Sequence, residues 1–141
     1  MRLTEDEARR CFADSAVARL ASVRPDGAPH VVPVVFALVG DVVTTAVDHK
    51  PKRSTNLQRL ANLRAEPRCC LLVDHEDEDW SQLWWARADG RAEVVDEPAP
   101  DDPGLVALAA RYPAYRDRPP SGALIRIAVT RWTGWAASDD E

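Results

Sequence analysis

The chain has few of the residues from which many sites are built. Its three cysteines, Cys11, Cys69 and Cys70, lack the CxxC spacing of a redox or zinc motif, and two neighbours on a strand face opposite sides. A disulfide framework is excluded, and the pattern reads as that of a reducing compartment. A zinc site needs about four convergent soft ligands, so the cysteines are read as small buried hydrophobes and no metal is expected. The three histidines, His30, His49 and His75, fall far apart, without an HxxxH pair. No GxSxG elbow is present, and no acid is placed to orient His49 toward Ser54, which excludes triad hydrolysis. GxxxxGK and GxGxxG are missing too, and with them the common nucleotide folds. The most apolar stretch, Val31 to Val47, is broken by Pro33, Gly40 and Asp41, and no basic leader opens the chain. No export signal or membrane span is expected, and the cytoplasm is the expected location. Positive charge is in deficit as well: the net charge of −5 disfavours a general nucleic-acid binder, which needs a basic face.

At 141 residues and 45% hydrophobic content, the chain can bury one core but not two. Thr4 with Glu7 reads as a capping box that opens a helix reaching about Ala13. Val17 to Val23 and His30 to Leu38 read as strands joined through Arg24-Pro25-Asp26-Gly27, where proline presets a turn and glycine accepts positive φ. A third strand covers Val42 to Val47. After a basic loop, Leu57, Leu60, Ala61 and Arg64 recur at helical spacing until Glu66-Pro67. Arg68 to Asp74 forms the next strand. Trp80 to Ala88 and Arg91 to Val95 flank Asp89-Gly90, a two-residue hairpin signal that predicts two strands. Asp96 to Pro103, rich in proline and acid, reads as an exposed linker. It leads to a short helix through Leu105, Leu108, Ala109 and Tyr112, then to a loop over Arg116 to Gly122. The last strand runs from Ala123 to Trp135, and residues 136–141 are expected to form a disordered acidic tail after a single domain over 1–135. Six or seven short antiparallel strands with a few helices predict a mainly β fold (α+β) closed into a barrel.

Two features carry chemistry. Lys50-Pro51-Lys52-Arg53-Ser54-Thr55-Asn56 gathers three cations at a helix N-terminus of an acidic chain. There the free N–H groups and the positive dipole end favour an anion, a phosphate above all. The competing reading is a solvated loop that balances nearby acids. The second feature is five tryptophans. Trp84 and Trp85, adjacent on a strand, point to opposite faces, so one of them meets a partner, a ligand or water. A subunit interface and a ring-stacking role both satisfy that requirement.

Read together, the Arg24-to-Gly27 turn, Pro29-His30-Val31-Val32-Pro33-Val34, Lys52-Arg53-Ser54-Thr55-Asn56-Leu57, Glu66-Pro67-Arg68, Leu71-Leu72-Val73-Asp74 and Trp84-Trp85-Ala86-Arg87-Ala88-Asp89-Gly90 resemble the pyridoxamine 5′-phosphate oxidase-like family. Within it the chain looks most similar to the actinobacterial branch that uses the deazaflavin F-420 (8-hydroxy-5-deazaflavin). The resemblance implies an FMN-binding-protein-like antiparallel split β-barrel, homodimeric, with two cofactor sites at the subunit interface. The cofactor ring would lie along His30, Val31, Val32 and Pro33 and along Val43 to Thr45. Its phosphate would meet Lys50, Lys52, Arg53, Ser54, Thr55 and Asn56. The other subunit would close the site through Trp80, Gln82 or Trp85. Pro51 departs from the family, where another cation is frequent. The implied activity is hydride transfer from reduced F-420 to a small organic acceptor, with no side chain as an obligatory catalyst. FMN is the alternative cofactor, in an oxidase or reductase of the same fold, and a non-enzymatic binder of flavin or haem is a further reading.

Overall fold

The computed structural model describes residues 1–47 and 54–138, and gives residues 54–57 as backbone alone. The basic loop up to Arg53 and residues 139–141 of the tail lie outside the described residues.

The first helix, α1 (Glu5–Ala13), starts as its sequence predicts. Thr4 Oγ1 accepts from the Glu7 N–H at 3.2 Å, and Glu7 Oε1 accepts from the Thr4 N–H at 2.9 Å, a reciprocal cap that satisfies two orphan donors. The strands β1 (Ala18–Val23) and β2 (Pro29–Val34) follow as a hairpin whose turn holds Gly27 at φ +90°. The chain continues as β3 (Ala37–Val39), β4 (Val42–Ala46), α2 (Ser54–Ala65), β5 (Arg68–His75), β6 (Trp84–Val95), α3 (Pro103–Arg111), α4 (Pro113–Asp117) and β7 (Leu124–Ala136). All strand pairs are antiparallel in one seven-stranded sheet of order β2-β1-β5-β6-β7-β4-β3.

That order dictates the curvature. If the sheet were flat, six inter-strand spacings of about 4.8 Å would hold β2 and β3 roughly 29 Å apart. Yet only Val35 and Phe36 join them, and three Cα steps reach at most about 11 Å. The sheet therefore curls until its edges meet, and the fold is the expected split β-barrel, mainly β with short helices. Its interior holds Leu20, Val34, Val43, Leu71, Val73, Ala86, Ile125 and Ile127, all buried. Phe12 of α1 joins them, with its ring 4.7 Å from that of Phe36 and 5.3 Å from that of Trp132. A smaller cluster of Ala37, Ala46, Leu108 and Leu124 seats α3.

Five expectations are corrected. His30 to Leu38 is not one strand, because its backbone is captured between β2 and β3. The Tyr112 hydroxyl binds both the N–H (3.2 Å) and the C=O (2.8 Å) of Phe36, and Thr45 Oγ1 donates to the Val35 carbonyl at 2.8 Å. Asp89-Gly90 is not a hairpin turn. It lies inside the continuous β6 at a register shift against β7, and a Cβ on Gly90 would stand 2.5 Å from the Ala128 carbonyl oxygen. The glycine serves close strand approach at a bulge rather than reversal. Trp80 to Gln82 forms a turn of 3₁₀ helix capped by Asp79, whose Oδ1 accepts from the Ser81 N–H at 3.0 Å. The segment around Arg116 contains α4. The acidic linker is exposed for most of its length, but Asp102 is buried: it caps α3 by accepting from the Gly104 N–H at 2.8 Å and pairs with Arg126.

Candidate functional site

The helix α2 packs on β1 and β6 and turns a polar row inward. Leu60 and Leu63 are buried in the core, and between them Asn62 is wholly buried. Its amide donates to Ser22 Oγ at 3.2 Å and accepts from Gln58 Nε2 at 2.7 Å. Ser22 is paired in register with His30, so the same face of β2 presents His30 beneath the helix. Among the described residues, Nδ1 of His30 is buried with no hydrogen-bond partner, and so is Nε of Arg59. Burial first, then the positive charges of Arg24 and Arg59, hold the His30 imidazole below its ordinary pKa. Arg59 is likewise lowered by burial, against which the Tyr115 phenol of α4 acts among the described residues. The floor between α2, β2 and α4 thus has an inward cation and a neutral imidazole, each with an unused polar atom.

Mainly on the opposite, outer face of these strands, at the start of β5, a hollow of about 410 Å³ is lined by Ala21, Val23, Pro29, Arg68, Cys70 and others. Glu66 at its rim accepts from the Arg68 backbone N–H at 3.1 Å and from its guanidinium at 3.0 Å, and these bonds hold the carboxyl at about 2. Cys69 and Cys70 face opposite sides of β5 as expected, and burial pushes the Cys69 thiol up to about 12, which suits packing rather than thiolate chemistry.

The expected ring contacts alternate across the sheet: His30 and Val32 face inward and are partly covered, while Val31 and Pro33 face outward, with Val31 61% exposed. Val43, Thr44 and Thr45 are buried. Lys50, Lys52 and Arg53 lie outside the described residues, and Ser54, Thr55 and Asn56 form the first turn of α2. Trp80 is 77% exposed and Gln82 is exposed beside it, away from His30 in the sheet order. Trp84 packs on the core and stacks on His75, whereas Trp85 points outward with the Arg87 guanidinium over its ring at 5.8 Å. The outer face of β2, β1, β5 and β6 carries Val31, Val23, Leu72, Pro33, Cys70 and Trp85 with no covering element among the described residues. Sequence reading missed Arg59, Asn62 and Ser22. The available signal was polar residues set between Leu57, Leu60 and Leu63 on a face that the helical period otherwise makes apolar.

The curled antiparallel sheet, with a helix opening at its end after a basic loop, defines the class as split-barrel proteins. The chain belongs to the pyridoxamine 5′-phosphate oxidase family, whose model matches residues 4–136. Its fold is shared with a conserved hypothetical protein from Mycobacterium tuberculosis (24% identity, TM-score 0.74, covering 95% of this chain and 85% of that one). A FAD-binding protein from Mesorhizobium loti is similar as well (19%, TM-score 0.70, 95% and 93%). So is a heme binding protein from Mycobacterium smegmatis (19%, TM-score 0.74, 96% and 55%). No curated protein matches the chain.

Proposed function

We propose that the chain is an oxidoreductase that binds F-420 and uses its reduced form to reduce a small organic acceptor. The observation that carries this reading is the helix α2, whose first residue, Ser54, directly follows three cations in a chain of net charge −5. A helix start with that approach suits a phosphate. The residues present fit a planar, phosphate-bearing group. Lys50, Lys52 and Arg53 with the α2 N-terminus would take the phosphate, and the strand edge at His30 to Pro33 would lie along the ring. When bound, a reduced deazaflavin supplies a hydride to the acceptor, which takes its proton from water, while the cofactor leaves oxidised.

The protein's part is position and exclusion of water. Val32 and the inner barrel wall provide an apolar border, and His30, kept neutral by burial, offers a nitrogen that can accept or pass a proton. The outer apolar face with Val31, Leu72 and Trp85 is the surface by which two copies would pair, placing Trp80, Gln82 and Trp85 of one copy against the site of the other. FMN presents the same phosphate and a planar ring, and the likeness to FAD-binding and heme binding proteins supports a second reading as a binder of those groups.

Fluorescence titration of F-420, FMN and haem into the same preparation distinguishes these. F-420 is expected to bind, and Lys52→Ala or Arg53→Ala to lose roughly tenfold to over a hundredfold in affinity, the worth of a charge-assisted hydrogen bond of about 1.5–3 kcal/mol. Added salt weakens wild-type binding and affects the double variant less. Equal binding of all variants at low and high salt overturns the loop assignment, and F-420 binding below that of FMN or haem overturns the choice of cofactor.

A further inference from the structure

Arg59 is a cation in an unusual place. Its side chain is mostly covered, its Nε is sealed from water, and Nε has no hydrogen-bond acceptor among the described residues. Removing a guanidinium from water is costly unless an anion compensates. Although the chain has 23 acidic residues, no carboxylate among the described residues pairs with Arg59. Among the described residues its electrostatic partner is the Tyr115 phenol, which is not a carboxylate. The nearby imidazole is no counter-ion either, since Arg59 itself helps keep His30 uncharged. Other arginines of this acidic chain do find partners: Arg9 with Asp41, Arg64 with Asp96, Arg68 with Glu66, Arg87 with Asp89 and Arg126 with Asp102. Arg59 is held apart, five residues into α2 from Ser54 and so about 7.5 Å along the axis from the helix start.

Resting on the cofactor reading above, we infer that Arg59 is a ligand-binding residue: the negative charge it lacks is supplied by an anionic group, phosphate or carboxylate, on a molecule bound between α2, β2 and α4. His30 Nδ1, buried and unpaired on the same floor, takes a hydrogen bond from that molecule or from a water it fixes. The shared chemistry is an oxyanion. Its source is the cofactor's phosphate or a carboxylate on the acceptor.

A residue kept for a ligand at a cost to the free protein has a distinctive signature. Arg59→Met is expected to raise the melting temperature of the ligand-free protein by a few degrees, because a charge with no carboxylate partner among the described residues is exchanged for an apolar stem of similar reach. The same variant loses about tenfold to a hundredfold in affinity for anionic ligands, and Arg59→Lys retains part of it. The probes are FMN, riboflavin, inorganic phosphate and benzoate, followed by titration and by the shift in melting temperature. Loss for FMN and phosphate, with riboflavin unchanged, assigns the anion to the cofactor. Loss for benzoate alone assigns it to an acceptor carboxylate. Arg59→Gln serves the same comparison if the methionine variant fails to fold.

A lower melting temperature for both ligand-free neutral variants means that the charge is already compensated within the chain and overturns the inference. Binding of every anionic probe at the wild-type level overturns it too. Lys52→Ala and Arg53→Ala are measured alongside. If they bind as wild type while Arg59→Met does not, the basic-loop reading falls and the Arg59 inference stands, and the reverse pattern does the opposite.

Discussion

Replacing Gly90 with alanine tests whether this glycine is present for strand approach or for a turn. In β6 a Cβ at position 90 would lie 2.5 Å from the Ala128 carbonyl oxygen, 2.9 Å from Ile127 Cγ2 and 3.1 Å from the Ala128 carbonyl carbon. Ordinary carbon contacts optimise near 3.5–4.0 Å, so β6 and β7 must part by nearly 1 Å where they are hydrogen-bonded from Trp84↔Ala136 to Val95↔Leu124. Two of the three atoms are backbone and cannot rotate away. Overpacking of this kind costs about 1–3 kcal/mol, and strain on a ladder in the middle of the sheet puts the expectation at the upper end. For a domain of this size that corresponds to a fall in Tm of roughly 6–12 °C. Gly27→Ala is the control: its Cβ would meet nothing within 4 Å, and only its φ of +90° opposes the change, which costs about 1–2 kcal/mol. Chemical denaturation of both variants, with thermal melts beside it, should rank Gly90→Ala as the more damaging. A Gly90→Ala protein within 0.5 kcal/mol of wild type, or less affected than Gly27→Ala, would refute the reasoning.

Val31→Glu, on the exposed outer face, is expected to turn a dimer into a monomer in sedimentation velocity at micromolar concentration with little loss of monomer stability; a wild-type monomer at that concentration would refute the pairing surface. Glu66, held near 2 in the folded chain against a usual value of 4.5, stabilises the fold fully above pH 4.5 and progressively less as pH falls toward 2. Melting curves of Glu66→Gln should therefore converge with wild type across that window, and a constant difference would count against the Arg68 contact. The His30 imidazole, lowered from 6.5 by burial and neighbouring arginines, should titrate by NMR below the ordinary value in the ligand-free protein, and titration at or above 6.5 would contradict its position beneath α2.

The barrel was legible because its signals are local. The Thr4–Glu7 box, the Pro25–Gly27 turn and the opposite facing of Cys69 and Cys70 each depend on a few neighbouring residues, and each appears as read. The misreadings share another cause. Asp89-Gly90 has turn chemistry, but β7 lies so close that glycine is required inside a strand, a constraint set by residues almost forty positions away. The break at Phe36 is made by Tyr112, farther still along the chain. Arg59 was invisible for the same reason: a charged residue on a helix reads as solvent-facing until the strand and the helix that cover it are known.

The order β2-β1-β5-β6-β7-β4-β3 also governs how such a chain emerges from the ribosome. The β3–β4 hairpin is made early, yet its neighbour β7, joined through Val42↔Ala128 to Ala46↔Leu124, is synthesised some eighty residues later. Until then β4 has an open edge rich in β-branched residues, the kind of template that invites pairing with another nascent chain. With Val43, Thr44 and Thr45 all buried only once β7 and α3 arrive, productive folding waits on the last strand. A polysome crowded with copies of this protein is where misassembly would begin.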